Sequence, residues 1–186
     1  MTDSHVRDVL LDYARRFPDR ADDVRPLLGL IEQQAMVLSR KEARGHVTCG
    51  ALVLNEHDHL LQIRHKFLNR WLTPGGHVES ADATLLAGAL RELVEETGLG
   101  PPMVIAAFDW PIDINCHPIP ANPAKNEPAH DHWDFRFLFR VAPSHEVKLD
   151  QAEVTDSRWI GLDQLANDEP MLASAIHLAV RVSTPL

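Results

Sequence analysis

The sequence predicts an α+β fold preceded by an N-terminal helical pair, and three observations carry that prediction. Apolar residues recur at helical spacing through residues 3–40. From residue 46 short, β-prone apolar runs replace them, separated by turn-forming residues. A helical pattern then returns after Pro74-Gly75-Gly76 and again near Leu162, so strands and helices are mixed along one chain.

In the first helix Val6, Val9, Leu10, Tyr13, Ala14 and Phe17 form one apolar stripe, and Pro18-Asp19 interrupts it. Val24, Leu27, Leu28, Ile31, Ala35 and Leu38 repeat the pattern. Residues 1–44 are therefore expected as a helical extension and residues 45–186 as the main domain. The pair reads as a packing element or a homodimer contact, with substrate recognition the lesser alternative. Val47–Leu54 and Leu60–Arg64 are expected strands around a turn at Asn55–His59. Pro74-Gly75-Gly76 reads as a tight turn. A helix is expected from about Asp82 to Thr97, ended by Gly98 and by Pro101-Pro102. Met103–Asp113 reads as a strand, the proline-rich residues 115–129 as a long loop, and His130–Val141 as the strongest strand. A last helix starts near Leu162 and extends or resumes through Met171–Val182.

The 186 residues suffice for one ordinary domain plus a modest extra element, and 45% hydrophobic with 24% charged residues allows a sizeable core. A net charge of -9 argues against a nucleic acid polymer as partner, because phosphate contacts need a basic surface. A small phosphorylated substrate stays compatible if metal ions stand between the two sets of negative charge. Cys49 and Cys116 lack metal-ligand spacing, so a reducing compartment fits better than a disulfide framework. No stretch approaches the roughly 18 apolar residues of a membrane span. Residues 1–17 are charged and helix-patterned, without a signal-peptide apolar region. A cytoplasmic location with no membrane partner is expected.

The helix containing Arg91-Glu92-Leu93-Val94-Glu95-Glu96-Thr97-Gly98-Leu99 is the most informative segment. At about 100° per residue, Glu92, Glu95 and Glu96 share one face, while Leu86, Leu90, Leu93 and Val94 occupy a sector that can pack on a sheet. Three carboxylates on one face repel one another unless something offsets their charge. A solvated face beside Arg91 is one explanation. A site for a hard divalent cation is the other, favoured by the glycines just before the helix, where main-chain carbonyls can approach a metal.

Gly76 through Leu99 resembles the Nudix box, in which a glycine is followed by five residues, a glutamate, seven residues and then Arg-Glu-apolar-x-Glu-Glu-x-Gly-apolar. Arg91, Glu92, Leu93, Glu95, Glu96, Gly98 and Leu99 match its second half throughout. Pro74-Gly75-Gly76-His77-Val78-Glu79 is also similar to common members, and the wider likeness covers about residues 46–165. Gly76 and Arg91 stand 15 positions apart where the family pattern has 14, so one residue is inserted in the loop. The family's first glutamate is replaced by Asp82 or Ala83. Asp82 or Glu79 could substitute for it, and Asp82 could equally be the helix N-cap.

The resemblance implies a Nudix-type α/β/α sandwich with a mixed central sheet. It also implies a pyrophosphohydrolase that cuts a diphosphate linkage in a small nucleoside diphosphate derivative, with Mg²⁺ or Mn²⁺ as cofactor. Glu92, Glu95, Glu96 and the Gly76 carbonyl would hold the metal, which would acidify an attacking water. Glu95 or Glu96 would accept its proton, with Glu153 a candidate outside the box. Arg64, Lys66, Arg70 and Arg136 are candidates for the substrate's phosphates, since cations, guanidinium forks above all, suit phosphate oxygens. Trp71 could stack on a base or simply pack.

Along residues 130–139 Trp133, Phe135, Phe137 and Phe139 alternate with His130, His132, Asp134 and Arg136. The aromatic side is expected in the core. The polar side, with His132 as a substrate-binding candidate, suits either solvent or a cleft. His117, His130 and His132 are a weaker candidate for a transition-metal site. Two further readings compete: a catalytically silent Nudix-fold module that binds a nucleotide metabolite, and an isomerase of isoprenoid diphosphates needing an acid/base group such as Cys116.

Overall fold

The computed structural model describes residues 1–123, 127–143 and 146–183. Its elements are α1 (Asp3–Arg16), a 3-10 turn (Pro18–Arg20), α2 (Ala21–Glu32), β1 (Gly45–Leu54), β2 (Leu60–His65), β3 (Arg70–Leu72), β4 (Gly75–His77), α3 (Leu85–Thr97), β5 (Val104–Ala106), β6 (Asp113–Ile119), β7 (His130–Val141), β8 (Val154–Ile160), α4 (Leu162–Asp168) and α5 (Pro170–Val182). The expected α+β class, mixed sheet and N-terminal helical pair are all present.

The chain divides into two compact units. The first comprises Met1–Cys49, His77–Gly88 and Ile114–Phe135; the second comprises Gly50–Gly76, Ala89–Asp113 and Arg136–Leu186. In the first, α1 and α2 bury Val6, Leu10, Tyr13, Val24 and Leu27, much of the apolar stripe legible in the sequence. The Tyr13 hydroxyl accepts the Ile114 N–H at 3.3 Å. The pattern that continues to Leu38 in sequence stops being helical at Glu32, because Gln34 adopts a left-handed backbone with φ 58°.

The strand order of the sheet is β3-β2-β1-β7-β5, with β8 along β2 in antiparallel register from Leu60↔Ile160 to His65↔Val154. Leu52, Leu54, Leu60, Leu138 and Ile160 meet Leu162, Leu165, Leu172 and Ile176 of α4 and α5 in one buried cluster. Each such side chain contributes roughly 1.5–3 kcal/mol on leaving water.

Several local expectations change. Gly75-Gly76 is extended rather than a tight turn: β4 pairs with β1, and Ala51 N–H donates to the Pro74 carbonyl at 2.8 Å. Pairing with β1 satisfies main-chain groups that a turn would leave to solvent. The strand expected over Met103–Asp113 is confined to Val104–Ala106. The segment expected as a loop begins as β6, which pairs with β7; Pro118 sits near its end, where no donor is needed. Residues 124–126 of that segment lie outside the described residues. Strand β8 went unread because Thr155-Asp156-Ser157-Arg158 masks the buried Val154 and Ile160 at its ends.

Helix α3 begins at Leu85, and Thr84 Oγ1 accepts the Ala87 N–H at 3.1 Å, so Thr84 and not Asp82 is the cap. Its buried stripe is Leu85, Ala89 and Leu93, whereas Val94 is 42% exposed. The helix ends as expected at Gly98, whose φ is 68°. A Cβ there would stand 3.2 Å from Lys148 Cβ in the segment that leads to Glu153. Gly98→Ala is expected to cost about 1–2 kcal/mol in urea unfolding, from left-handed backbone strain. Unchanged stability would contradict this account of the helix terminus.

Candidate functional site

The second unit gathers the box glutamates, Gly76 and Glu153. Helix α3 presents Glu92 and Glu96 inward and Glu95 outward: Glu96 is 4% exposed, the Glu92 side chain 14% and the Glu95 side chain 55%. Arg91 Nη1 donates to Glu92 Oε1 at 3.0 Å and to Glu95 Oε2 at 2.9 Å. One guanidinium therefore spans two carboxylates and fixes both. The buried Glu96 accepts the Gly75 N–H at 2.9 Å.

Glycine at position 76 has a steric reason. A Cβ there would lie 2.6–2.8 Å from the Glu92 carboxylate atoms, so a side chain at 76 would push that carboxylate, the flexible end of Glu92, away from the strand. The glycine serves a close approach between strand and helix rather than a turn.

Glu153 reaches the same region through main-chain pairing. Lys148 N–H donates to Thr97 O at 2.8 Å and Asp150 N–H to Glu96 O at 3.2 Å, docking the 148–153 segment on the end of α3. The Glu153 charge is then felt by both Glu92 and Glu96. Burial pushes the Glu92 carboxyl up against the pull of Arg91. Burial pushes Glu96 up to about 8, opposed by the Gly75 N–H and reinforced by Glu92, Glu153 and Glu95. A donor set of buried, mutually repelling carboxylates beside a glycine main chain suits a hard divalent cation, which would replace the missing positive charge.

The cationic candidates divide. Lys66 lies on the Glu153 segment: its N–H donates to Glu153 O at 2.8 Å and its Nζ to Gln151 O at 3.2 Å. Arg64 bonds Asn69 Oδ1 at 2.7 Å, with its guanidinium 5.6 Å from the Trp71 ring. Arg158, which sequence reasoning missed, lies 4.3 Å over the same ring and donates to Gln62 Oε1 at 2.8 Å. Its signal lay in β8, the unread strand. Arg70 is exposed. Arg136 is held by Glu169 at 3.0 Å and Asp113 at 3.6 Å.

In the first unit Asp82 is buried and its Oδ2 accepts the Glu79 N–H at 2.8 Å, bracing the loop before α3. Glu79 itself is exposed. His132 lies with His46 and His77, two residues that sequence reasoning did not group with it. They come from separate strands, so no spacing in the sequence announces them.

The Glu96 value carries a sign for stability. Its folded-state value near 8 lies above the ordinary 4.5, so the stability associated with the protonated form is complete below about 4.5 and is lost as pH rises toward 8. In urea unfolding without divalent cations, the protein is expected to be less stable at pH near 8.5 than near 5.5, and Glu96→Gln to lose distinctly less over that range. An equal loss in both proteins would contradict the burial of an uncompensated carboxylate.

Residues 44–179 match the NUDIX domain model. The chain is 36% identical over 114 residues to a Lactococcus lactis subsp. cremoris protein named probable DHNTP pyrophosphohydrolase, a match covering 58% of this chain and 65% of that one. It is 34% identical to Bos taurus m7GpppN-mRNA hydrolase NUDT17, covering 51% of this chain and 32% of the relative. It thus spans less than two thirds of the length of either curated relative. The fold is similar to a C. elegans Ap4A hydrolase (TM-score 0.54, 16% identity, 70% of this chain and 92% of the other). It is also similar to a NUDIX-family hydrolase from Clostridium perfringens (TM-score 0.53, 22% identity, 72% and 97%). With the box resemblance and the expected fold both met, the chain belongs to the NUDIX domain family.

Proposed function

We propose that the protein hydrolyses a diphosphate linkage in a small nucleoside diphosphate derivative, with Mg²⁺ or Mn²⁺ as cofactor. The observation that carries this reading is the burial of Glu92 and Glu96 against Gly75-Gly76 with Arg91 as the neighbouring cation. Such an arrangement is costly for a protein that has no cation to bind. The relatives named as a pyrophosphohydrolase and an mRNA hydrolase support the reaction class.

Glu92, Glu96 and the Gly76 carbonyl would be the inner ligands, with Glu95 completing the set from the exposed side. Bound there, the cation would supply charge compensation for the diphosphate and acidify an attacking water. Arg91, bonded to both Glu92 and Glu95, would hold the two carboxylates in place for it. With Glu92 and Glu96 held by burial, Glu95 and Glu153 are the carboxylates left to accept the water's proton. Lys66, whose main chain is bonded to that of Glu153, would receive a phosphate oxygen. Arg64, Arg158 and Trp71 form a stacked cationic group suited to a further phosphate or a base.

The silent binding module is the poorer reading, since a binder needs no buried carboxylate pair. The isomerase reading also loses support: Cys116 is exposed, and partial burial of its sulfur with the Asp131 charge pushes its thiol up to about 11.

Phosphate release should be followed across nucleoside triphosphates, dinucleoside polyphosphates, ADP-ribose, dinucleotide cofactors, sugar nucleotides and capped RNA, with Mg²⁺ and with Mn²⁺. Activity is expected on at least one small nucleotide. Glu96→Gln should lower turnover by at least about 100-fold, and Glu153→Gln should lower kcat by a similar factor with little change in Mg²⁺ requirement. Silence across the panel would favour the binding module. Undiminished turnover in Glu96→Gln would remove the mechanism.

A further inference from the structure

The first unit holds a second cluster of metal-ligating side chains that the diphosphate chemistry leaves unused. His46 on β1, His77 on β4 and His132 on β7 each offer a ring nitrogen within 4.8 Å of the others. The His46 ring lies 5.0 Å from His77 and 4.6 Å from His132, centroid to centroid, and His77 lies 5.2 Å from His132.

His46 is the decisive member. It is 1% exposed, and neither of its ring nitrogens has a partner at full hydrogen-bond geometry, the Glu42 main chain acting on the ring only from longer range. Buried polar atoms are almost always paired, and a buried histidine without a well-formed hydrogen bond, surrounded by further histidines, points to a missing ligand. Ordinary packing would place an apolar residue there.

Around the trio the arrangement is ordered. His130 Nδ1 stands 2.8 Å from the Pro128 carbonyl, which fixes a donor on that nitrogen and leaves Nε2 as the acceptor. That Nε2 lies 3.2 Å from Nε2 of His132 and orients the ring from outside, as outer partners of metal-bound histidines do. The His117 ring lies 5.7 Å from His132. The charged neighbours are Arg40 and Glu127, an ion pair at 3.4 Å, so they add little net field. Burial and mutual proximity push His77 down to about 4 and His132 down to about 3, and lower His46 as well. All three are thus neutral near pH 7, the form in which imidazole ligates.

We propose that His46, His77 and His132 form a binding site for a transition-metal ion of the Zn²⁺ type, separate from the carboxylate site. Nitrogen ligands and the lack of a carboxylate among the three select Zn²⁺ or its neighbours over Mg²⁺. Ligands of one tetrahedral ion at Zn–N of about 2.0–2.1 Å stand about 3.3 Å apart, so the rings draw inward by about an ångström on binding. The ion would tie β1, β4 and β7 together within the first unit and so stabilise it.

Full-length protein stripped by chelator should be titrated with Zn²⁺ against a competing dye, and with Co²⁺ followed by visible absorption. One equivalent with Kd below about 1 μM and tetrahedral Co²⁺ bands are expected, as is a rise in Tm of about 5–10 °C at a 100-fold excess of Zn²⁺ over Kd. His46→Ala and, on the half-buried side, His77→Asn and His132→Asn should each weaken Zn²⁺ at least 100-fold. Glu96→Gln should keep it. Circular dichroism selects the variants that fold, and His77→Asn or His132→Asn decides the matter if His46→Ala does not. Absent binding, binding unchanged in a folded histidine variant, or binding lost in Glu96→Gln would each overturn the proposal.

Discussion

Glu92 and Glu96 are carboxylates taken out of water and set against a glycine main chain, with Arg91 bonded to Glu92 and the Gly75 N–H to Glu96. Much around the site follows from accommodating them. A side chain at position 76 would displace the Glu92 carboxylate from its place against the main chain. Strand β4 must be extended to aim the Gly75 N–H at Glu96. The chain after Gly98 must turn back so that residues 148–153 dock on the end of α3, which brings Glu153 to the same carboxylates. Burial first, and then the concentration of negative charge, raises the proton affinity of Glu92 and Glu96. A divalent cation relieves the same strain in charge that burial creates, which is why we link fold, ion and reaction.

The sequence made this helix legible because its information is local. Of the seven matched positions, Arg91, Glu92, Leu93, Glu95 and Glu96 lie on one helix and Gly98 ends it, and helical geometry converts spacing into position. The aromatic alternation of His130–Val141 was legible for the same reason, and β7 occupies those residues. The expectation of a turn at Gly75-Gly76 failed because glycine's freedom does not say how it is used: here the missing side chain serves a helix 16 residues further on. Strand β8 failed because its polar middle hides its buried ends, and with it went Arg158. The N-terminal pattern was right in kind but too long, since local periodicity does not report the left-handed Gln34.

The histidines mark the other limit. His130 and His132 are neighbours on one strand, but His46 and His77 come from β1 and β4 and meet His132 only through the sheet. A constellation built from three strands has no signature in spacing. Its clearest sign is physical, a buried imidazole with neither nitrogen at full hydrogen-bond geometry. The two clusters also differ in kind. One is oxygen-rich and charged, suited to a hard ion that comes with substrate; the other is neutral nitrogen, suited to an ion that stays with the protein.

The central claim, that the carboxylates of α3 exist to hold a hard divalent cation, is tested most directly by titrating metal-free protein with Mn²⁺ and following free ion by electron paramagnetic resonance. The account predicts at least one saturable site, competed by Mg²⁺, whose affinity falls at least 10-fold in Glu92→Gln and in Glu96→Gln. Mn²⁺ binding that is absent in the intact protein, or unaltered in both variants, would contradict it.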